Sequence, residues 1–127
     1  MKKILIVDDD VQITILLKRF LTVEGYEVTG LNISSDAVRV ANSIHPDLFI
    51  LDLMMPDPDG FMLCRMLRAD PSFIKTPILI VSALDDSDSR ALAFSAKASD
   101  YLSKPINLDK LTITIKELLD KADRLIT

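Results

Sequence analysis

The chain has 127 residues, a net charge of −4, and 49% hydrophobic against 27% charged residues. That is enough for one domain around one hydrophobic core, too apolar for a disordered segment, and too acidic for direct contact with nucleic acid or an anionic membrane. Its one cysteine, Cys64, and one histidine, His45, exclude an internal disulfide or a Cys/His zinc cluster and point to a reducing compartment.

The apolar start Ile4 to Val7 stops at Asp8-Asp9-Asp10, too early for a signal peptide or a membrane span, so a soluble cytoplasmic protein is expected. The same run reads as a first strand. Ile13, Leu16, Leu17, Phe20 and Leu21 follow at helical spacing on one face, with Gly25 placed to end the helix. Tyr26 to Leu31 is a weaker strand, partly alternating and carrying Gly30, and suits a sheet edge. Ser34 or Ser35 can cap a second helix through Ala37, Val40, Ala41 and Ile44, stopped by Pro46. Leu48 to Leu51 is a third strand, and Asp59 can cap a helix with Leu63, Cys64 and Leu67 inside. Ile78 to Val81 is a fourth strand, and Asp86 or Ser87 can cap a helix through Leu92, Phe94 and Ala96. Tyr101-Leu102 ends the strand series. A last helix from about Leu108 carries Leu111, Ile115, Leu118, Ala122 and Leu125 at intervals of three and four.

The main strands are apolar at every position, as parallel strands covered on both faces are. Strand and helix alternate about five times, which predicts a doubly wound α/β domain with a five-stranded parallel sheet, spanning residues 1–127. Functional groups in such sheets gather at the carboxyl ends of the strands. Asp8 and Asp9 follow the first strand, Asp52 the third, Ser82 the fourth, and Lys104 the fifth. Two unit charges about 4 Å apart cost ~4 kcal/mol at an effective dielectric near 20, so clustered carboxylates need cations. Lys104 supplies one, and Mg²⁺, which takes one or two carboxylates and fills its shell with other oxygens, suits the rest. Such a pocket is fitted to phosphoryl transfer, with Asp52 the natural nucleophile.

At these residues the sequence resembles the receiver domain of bacterial two-component response regulators. The matching segments are Ile4–Asp10, Pro46–Pro56, Asp59-Gly60, Thr76–Ala83 and Asp100–Pro105, and their joint order covers essentially the whole chain. The resemblance implies the flavodoxin-like strand order 2-1-3-4-5, of which a member of this same family is a standard example. It implies that Asp52 accepts a phosphoryl group from a sensor histidine kinase or a histidine phosphotransfer protein. Asp9, Asp52 and the Met54 carbonyl would ligate Mg²⁺, and Asp8 would hold a metal-bound water. Ser82 and Lys104 would contact the phosphoryl group, and Tyr101 would turn inward. The face of the fourth helix, fifth strand and last helix would then change shape to control a partner or an attached effector domain, or to form a homodimer. Self-phosphorylation and self-dephosphorylation are the only chemistry implied, with no other enzymatic turnover. The Lys104-Pro105 bond is often cis in this family.

Some residues depart from the family pattern. Pro58 adds a second proline to the loop after Asp52, Ile106 stands where phenylalanine is commoner, and Lys97 stands where glycine often precedes the fifth strand, which argues against a left-handed turn there. Leu84 and Met54 offer no polar help to an attacking water, so self-dephosphorylation is expected to be slow. Asp10 is expected only to cap a helix, and Cys64, Met62 and Met66 only to pack. Leu119 and Ile126 fall off the last helix's stripe and could support dimerisation. Two other readings compete. One is a haloacid-dehalogenase-like phosphatase using Asp8, which leaves Asp52 unexplained. The other is a pseudo-receiver interaction module that does not use phosphate, against which the complete set of five site residues argues. A flavin-binding domain of similar topology lacks its phosphate loop.

Overall fold

The computed structural model describes residues 1–126, with side chains described through Arg124. Five strands, β1 (Lys3–Val7), β2 (Glu27–Leu31), β3 (Leu48–Leu51), β4 (Ile78–Ser82) and β5 (Asp100–Ser103), form one parallel sheet in the order β2-β1-β3-β4-β5. Between and after them run α1 (Val11–Val23), α2 (Ala37–Ile44), α3 (Gly60–Ala69), α4 (Ser87–Ser95) and α5 (Leu108–Ile126). The expected fold class, strand order and edge position of β2 are all observed. No described helix is long and apolar enough to cross a membrane.

Strand side chains alternate between faces, so one continuously apolar strand feeds two cores. Leu5, Val7, Phe49, Leu51, Ile78 and Ile80 pack with Ala41 of α2, Leu63 and Leu67 of α3 and Ala93 of α4. Their neighbours Ile4, Ile6, Leu48, Ile50, Leu79 and Val81 pack on the other side with Leu17 and Leu21 of α1 and Leu111, Ile115 and Leu119 of α5. Both faces are dry, which holds the strand ends in fixed register beneath the candidate site.

The helices depart from the sequence reading in five places. On α1, Thr14 is buried while Leu16 is 48% exposed, because the helix turns Leu17 and Leu21 to the sheet. Ser34 does not cap α2. Its hydroxyl donates to the Pro56 carbonyl, and a 3-10 turn over Ser34–Asp36 leads into the helix. Met62 and Met66 of α3 are exposed rather than packed, as are Leu92 and Phe94 of α4, whose inward position belongs to Ala93. Leu119 is 6% exposed and lies in the core beside Ile115, so it is not available as a dimer contact; the side chains of Leu125 and Ile126 lie outside the described residues.

The caps follow the sequence more closely. Asp10, Asp59 and Asp86 each accept a backbone N–H from the first turn of α1, α3 and α4. Gly25 ends α1 at φ +102°, with Gly25 N–H donating to the Thr22 carbonyl and Tyr26 N–H to that of Leu21. Contrary to expectation, Lys97 also makes a left-handed turn, at φ +71°. Lys97 N–H donates to Phe94 and Ala98 N–H to Ala93, the same pair of bonds as at Gly25, and the Lys97 carbonyl accepts from Arg68 Nε at 2.9 Å. These contacts outweigh the cost of a side chain in that conformation. Lys104-Pro105 is cis, as is Asp57-Pro58.

Candidate functional site

The ladder continues one residue past each strand and brings the polar residues side by side. Asp8 N–H donates to the Leu31 carbonyl at 3.0 Å, Asp52 N–H to Val7 at 3.0 Å, and Lys104 N–H to Ser82 at 2.9 Å. The rim is therefore fixed by the same parallel bonds that make the sheet. Asp8, Asp52 and Ser82 are buried at 3%, 6% and 0% exposure, while Asp9 is exposed.

Lys104 Nζ donates to Asp8 Oδ2 at 2.8 Å and to Asp52 Oδ2 at 3.3 Å. The second oxygens are held by backbone: Asp10 N–H donates to Asp8 Oδ1 at 2.9 Å and Met54 N–H to Asp52 Oδ1 at 3.3 Å. Burial pushes the Asp8 carboxyl above its ordinary value, with Lys104 and the Asp10 N–H opposing. For Lys104, burial would lower the ammonium, but its hydrogen bond to Asp8 and the charges of Asp8 and Asp52 together hold it above its ordinary value. One carboxylate oxygen from each of Asp8, Asp9 and Asp52 lies within 4.8 Å of the others. In an octahedron with ligands near 2.1 Å, oxygens stand about 3.0 Å apart in cis and about 4.2 Å apart in trans, so the set is compatible with Mg²⁺ after small adjustments. All the donors are hard oxygens, and one side of the cluster faces solvent.

The other expected residues lie beside it. Ser82 Oγ accepts from Leu84 N–H at 3.3 Å, and the Tyr101 hydroxyl donates a short hydrogen bond to the Leu84 carbonyl. Tyr101 is 3% exposed and thus already turned in. Met54 presents its backbone at the rim while its side chain is 54% exposed. Asp10, expected only to cap a helix, has its carboxylate on the first turn of α1.

Several supporting residues carry no sequence signal of their own. Asn32 Nδ2 donates to the Asp8 carbonyl at 2.8 Å and to Thr14 Oγ1 at 2.9 Å, tying the end of β1 to α1. Gly60 lies so close to the Asp52 loop that a Cβ would stand 2.1 Å from the Asp52 carbonyl oxygen. Arg90 lies over the Tyr101 ring and is held there by Asp85. Gly60 is visible only as part of the matching Asp59-Gly60 pair, with no sign of its close approach to Asp52, and the contacts of the others depend on tertiary structure.

The sequence profile of the response regulator receiver domain matches residues 4–116. The DNA-binding dual master transcriptional regulator RpaA of Synechocystis is 35% identical over 125 residues, covering 98% of this chain and 52% of that protein. The alkaline phosphatase synthesis transcriptional regulatory protein PhoP of Bacillus subtilis is 34% identical, covering 96% and 50%. The chain thus spans about half the length of these relatives. Among solved structures, a CheY-like response regulator receiver domain protein from Methanospirillum hungatei superposes with a TM-score of 0.91 at 28% identity, covering 98% of both chains. The BeF3-activated receiver domain of Klebsiella pneumoniae RstA gives 0.87 at 30% identity, covering 93% of this chain and 98% of that one. With its strand order, its acidic rim and this match over most of its length, the chain belongs to the response regulator receiver domain family.

Proposed function

We propose that residues 1–127 act as one phosphoacceptor receiver domain, taking a phosphoryl group on Asp52 from the phosphohistidine of a sensor kinase or histidine phosphotransfer protein. The observation that carries this reading is Asp52 itself: a buried carboxylate within 3.3 Å of Lys104 and within metal-sharing distance of Asp8 and Asp9. An Asp52 oxygen attacks phosphorus, the P–N bond breaks, and the imidazole leaves with its electron pair. Lys104 neutralises charge on the transferred oxygens, and the Ser82 hydroxyl donates to one of them. Asp8, Asp9, Asp52 and the Met54 carbonyl would hold Mg²⁺, which offsets negative charge between carboxylate and phosphate. Asp8, the drier acid, would take part in that site through a bound water, and its bond to Nζ keeps Lys104 in place.

The signal leaves through Leu84 and Tyr101 to the surface of α4, β5 and α5, and from there to a partner, a second copy or an attached output domain. This acidic domain does not itself contact nucleic acid, its chemistry is limited to gaining and losing its own phosphoryl group, and it works in the cytoplasm. Loss of that group is slow, because Met54 and Leu84 place no polar side chain beside it.

Intact-mass and peptide mass spectrometry after treatment with acetyl phosphate and Mg²⁺ tests the reading. One added phosphoryl group on Asp52, absent from Asp52→Asn, is expected. Modification of Asp8 instead would support the phosphatase chemistry, and no modification would leave a phosphate-independent interaction module.

A further inference from the structure

Tyr101 lies on β5, a sheet-edge strand, yet its ring is nearly inaccessible. The hydroxyl bond to Leu84 holds one end of the side chain. What covers the ring's outer side is Arg90 of α4, whose guanidinium carbon stands 4.5 Å from the ring centroid. That guanidinium is held in turn. Its Nε and Nη2 both donate to Asp85 Oδ1, at 2.9 and 2.7 Å, and Nη2 also donates to Ser103 Oγ at 3.2 Å. The plane of the fork is thus fixed by the loop after β4 on one side and by the end of β5 on the other. An exposed Arg-Asp pair alone contributes little, but this one orients a cation over an aromatic face, and the two contacts support each other.

We infer that Arg90 is a positioning residue for Tyr101: held by Asp85 and Ser103, it covers the ring and keeps the side chain turned into the domain. None of these contacts passes through Asp52, so the position of Tyr101 is governed by two inputs, the phosphoryl site through Ser82 and Leu84, and the Arg90 clamp from the surface. The clamp shifts a population between inward and outward tyrosine, and a partner that engages Asp85 or Arg90 would release it. The inference rests on the receiver reading for its regulatory meaning, but not for its geometry.

The protein contains two tyrosines and no tryptophan, so Tyr26→Phe leaves Tyr101 as the sole emitter of its class. Acrylamide quenching of tyrosine emission in that background reports the accessibility of Tyr101 directly. The quenching constant is expected to rise about threefold to tenfold in Arg90→Ala, as an outward state of a few per cent becomes substantial. Arg90→Lys, which keeps a cation over the ring but loses the fork, should fall between. Equal quenching in the parent and Arg90→Ala, both folded by circular dichroism, overturns the inference. If Arg90→Ala does not fold, Asp85→Asn decides by the same measurement: a rise supports the clamp and no rise overturns it. Beryllofluoride binding, followed by fluorine NMR in the same proteins, separates the two questions. Raised quenching without beryllofluoride binding retains the clamp and removes the receiver reading, whereas binding without any change in quenching does the reverse.

Discussion

Lys104 gives its shorter contact to Asp8, at 2.8 Å, and its longer one to Asp52, at 3.3 Å. The ammonium is therefore anchored on the acid that is not the proposed nucleophile, which leaves it near Asp52 and able to pivot toward oxygens added there. It is also the more open partner, 17% exposed against 5% and 7% for the two carboxylates. Removing it strands two dry carboxylates facing each other. We expect Lys104→Ala to lose roughly 2–4 kcal/mol of stability in chelator, below the upper range for a fully buried pair because water reaches the ammonium. Urea unfolding with and without Mg²⁺ checks this: the ion should recover part of the loss, and a variant as stable as the parent in chelator would show that the carboxylates do not depend on the lysine.

Asp9 separates metal binding from folding. It is exposed, and in contrast to Asp8 and Asp52 it has no side-chain hydrogen bond among those described, so its visible role is to complete the oxygen cluster. Asp9→Asn should change stability in chelator by less than about 0.5 kcal/mol, as surface substitutions do. It should also greatly reduce the rise in melting temperature that Mg²⁺ gives the parent, since binding to the folded state alone stabilises it. An unchanged Mg²⁺ response in thermal scans would remove Asp9 from the ligand set.

Gly60 sits against the backbone of the loop that begins at Asp52. An added methyl would meet the Asp52 carbonyl oxygen at 2.1 Å and Leu53 Cα at 2.6 Å, both main-chain atoms that have no side-chain freedom with which to move aside. Gly60→Ala must displace either α3 or Asp52. A loss of about 3 kcal/mol or more by denaturant unfolding is expected, together with weakened Mg²⁺ binding. A fully stable alanine variant would mean that the loop and helix separate easily.

The parallel order and the polar rim are legible in the sequence because unbroken apolar runs such as Leu48 to Leu51 each end in a chemically distinctive residue. What is not legible depends on rotation about a helix axis or on contacts between distant segments. Leu16 and Leu17 are adjacent in sequence and equal in hydrophobicity, yet only the tilt of α1 on the sheet decides that Leu17 is buried. Ser34 could cap a helix by its residue type, but its hydroxyl is instead held by donating to the carbonyl of Pro56, far along the chain. Nothing in the residues around Arg90 announces that β5 brings Tyr101 beneath it.

Asp70 links pH to a local turn. The Ser72 N–H and the Asn42 side chain both donate to its carboxylate, and these bonds, the backbone one foremost, hold the carboxyl below its ordinary value. A group whose folded value is depressed contributes stability that is present above its unfolded value and lost as pH falls through the folded one. Asp70→Asn keeps an acceptor but no charge. The stability difference between parent and variant should be constant near neutrality and shrink as pH falls below the ordinary aspartate value of about 3.9. Parallel urea titrations across that range check it, and a difference independent of pH would assign the effect to geometry alone.

Gly25 and Lys97 close α1 and α4 with the same pair of backbone hydrogen bonds, at φ values of +102° and +71°, but only one of them is a glycine. A side chain in the left-handed region costs roughly 1 kcal/mol through contact between Cβ and the backbone, partly balanced by the lower chain entropy it gives the unfolded state. The Lys97 carbonyl bond to Arg68 does not require the lysine side chain and survives its removal. Lys97→Gly is therefore expected to stabilise the domain by about 0.5 kcal/mol, whereas Gly25→Ala, with open space around its Cβ but the wrong φ, should cost about 1 kcal/mol. Thermal and urea unfolding of the two variants side by side measure the opposing signs. Destabilisation by Lys97→Gly would show that the lysine side chain makes a compensating interaction at the start of β5.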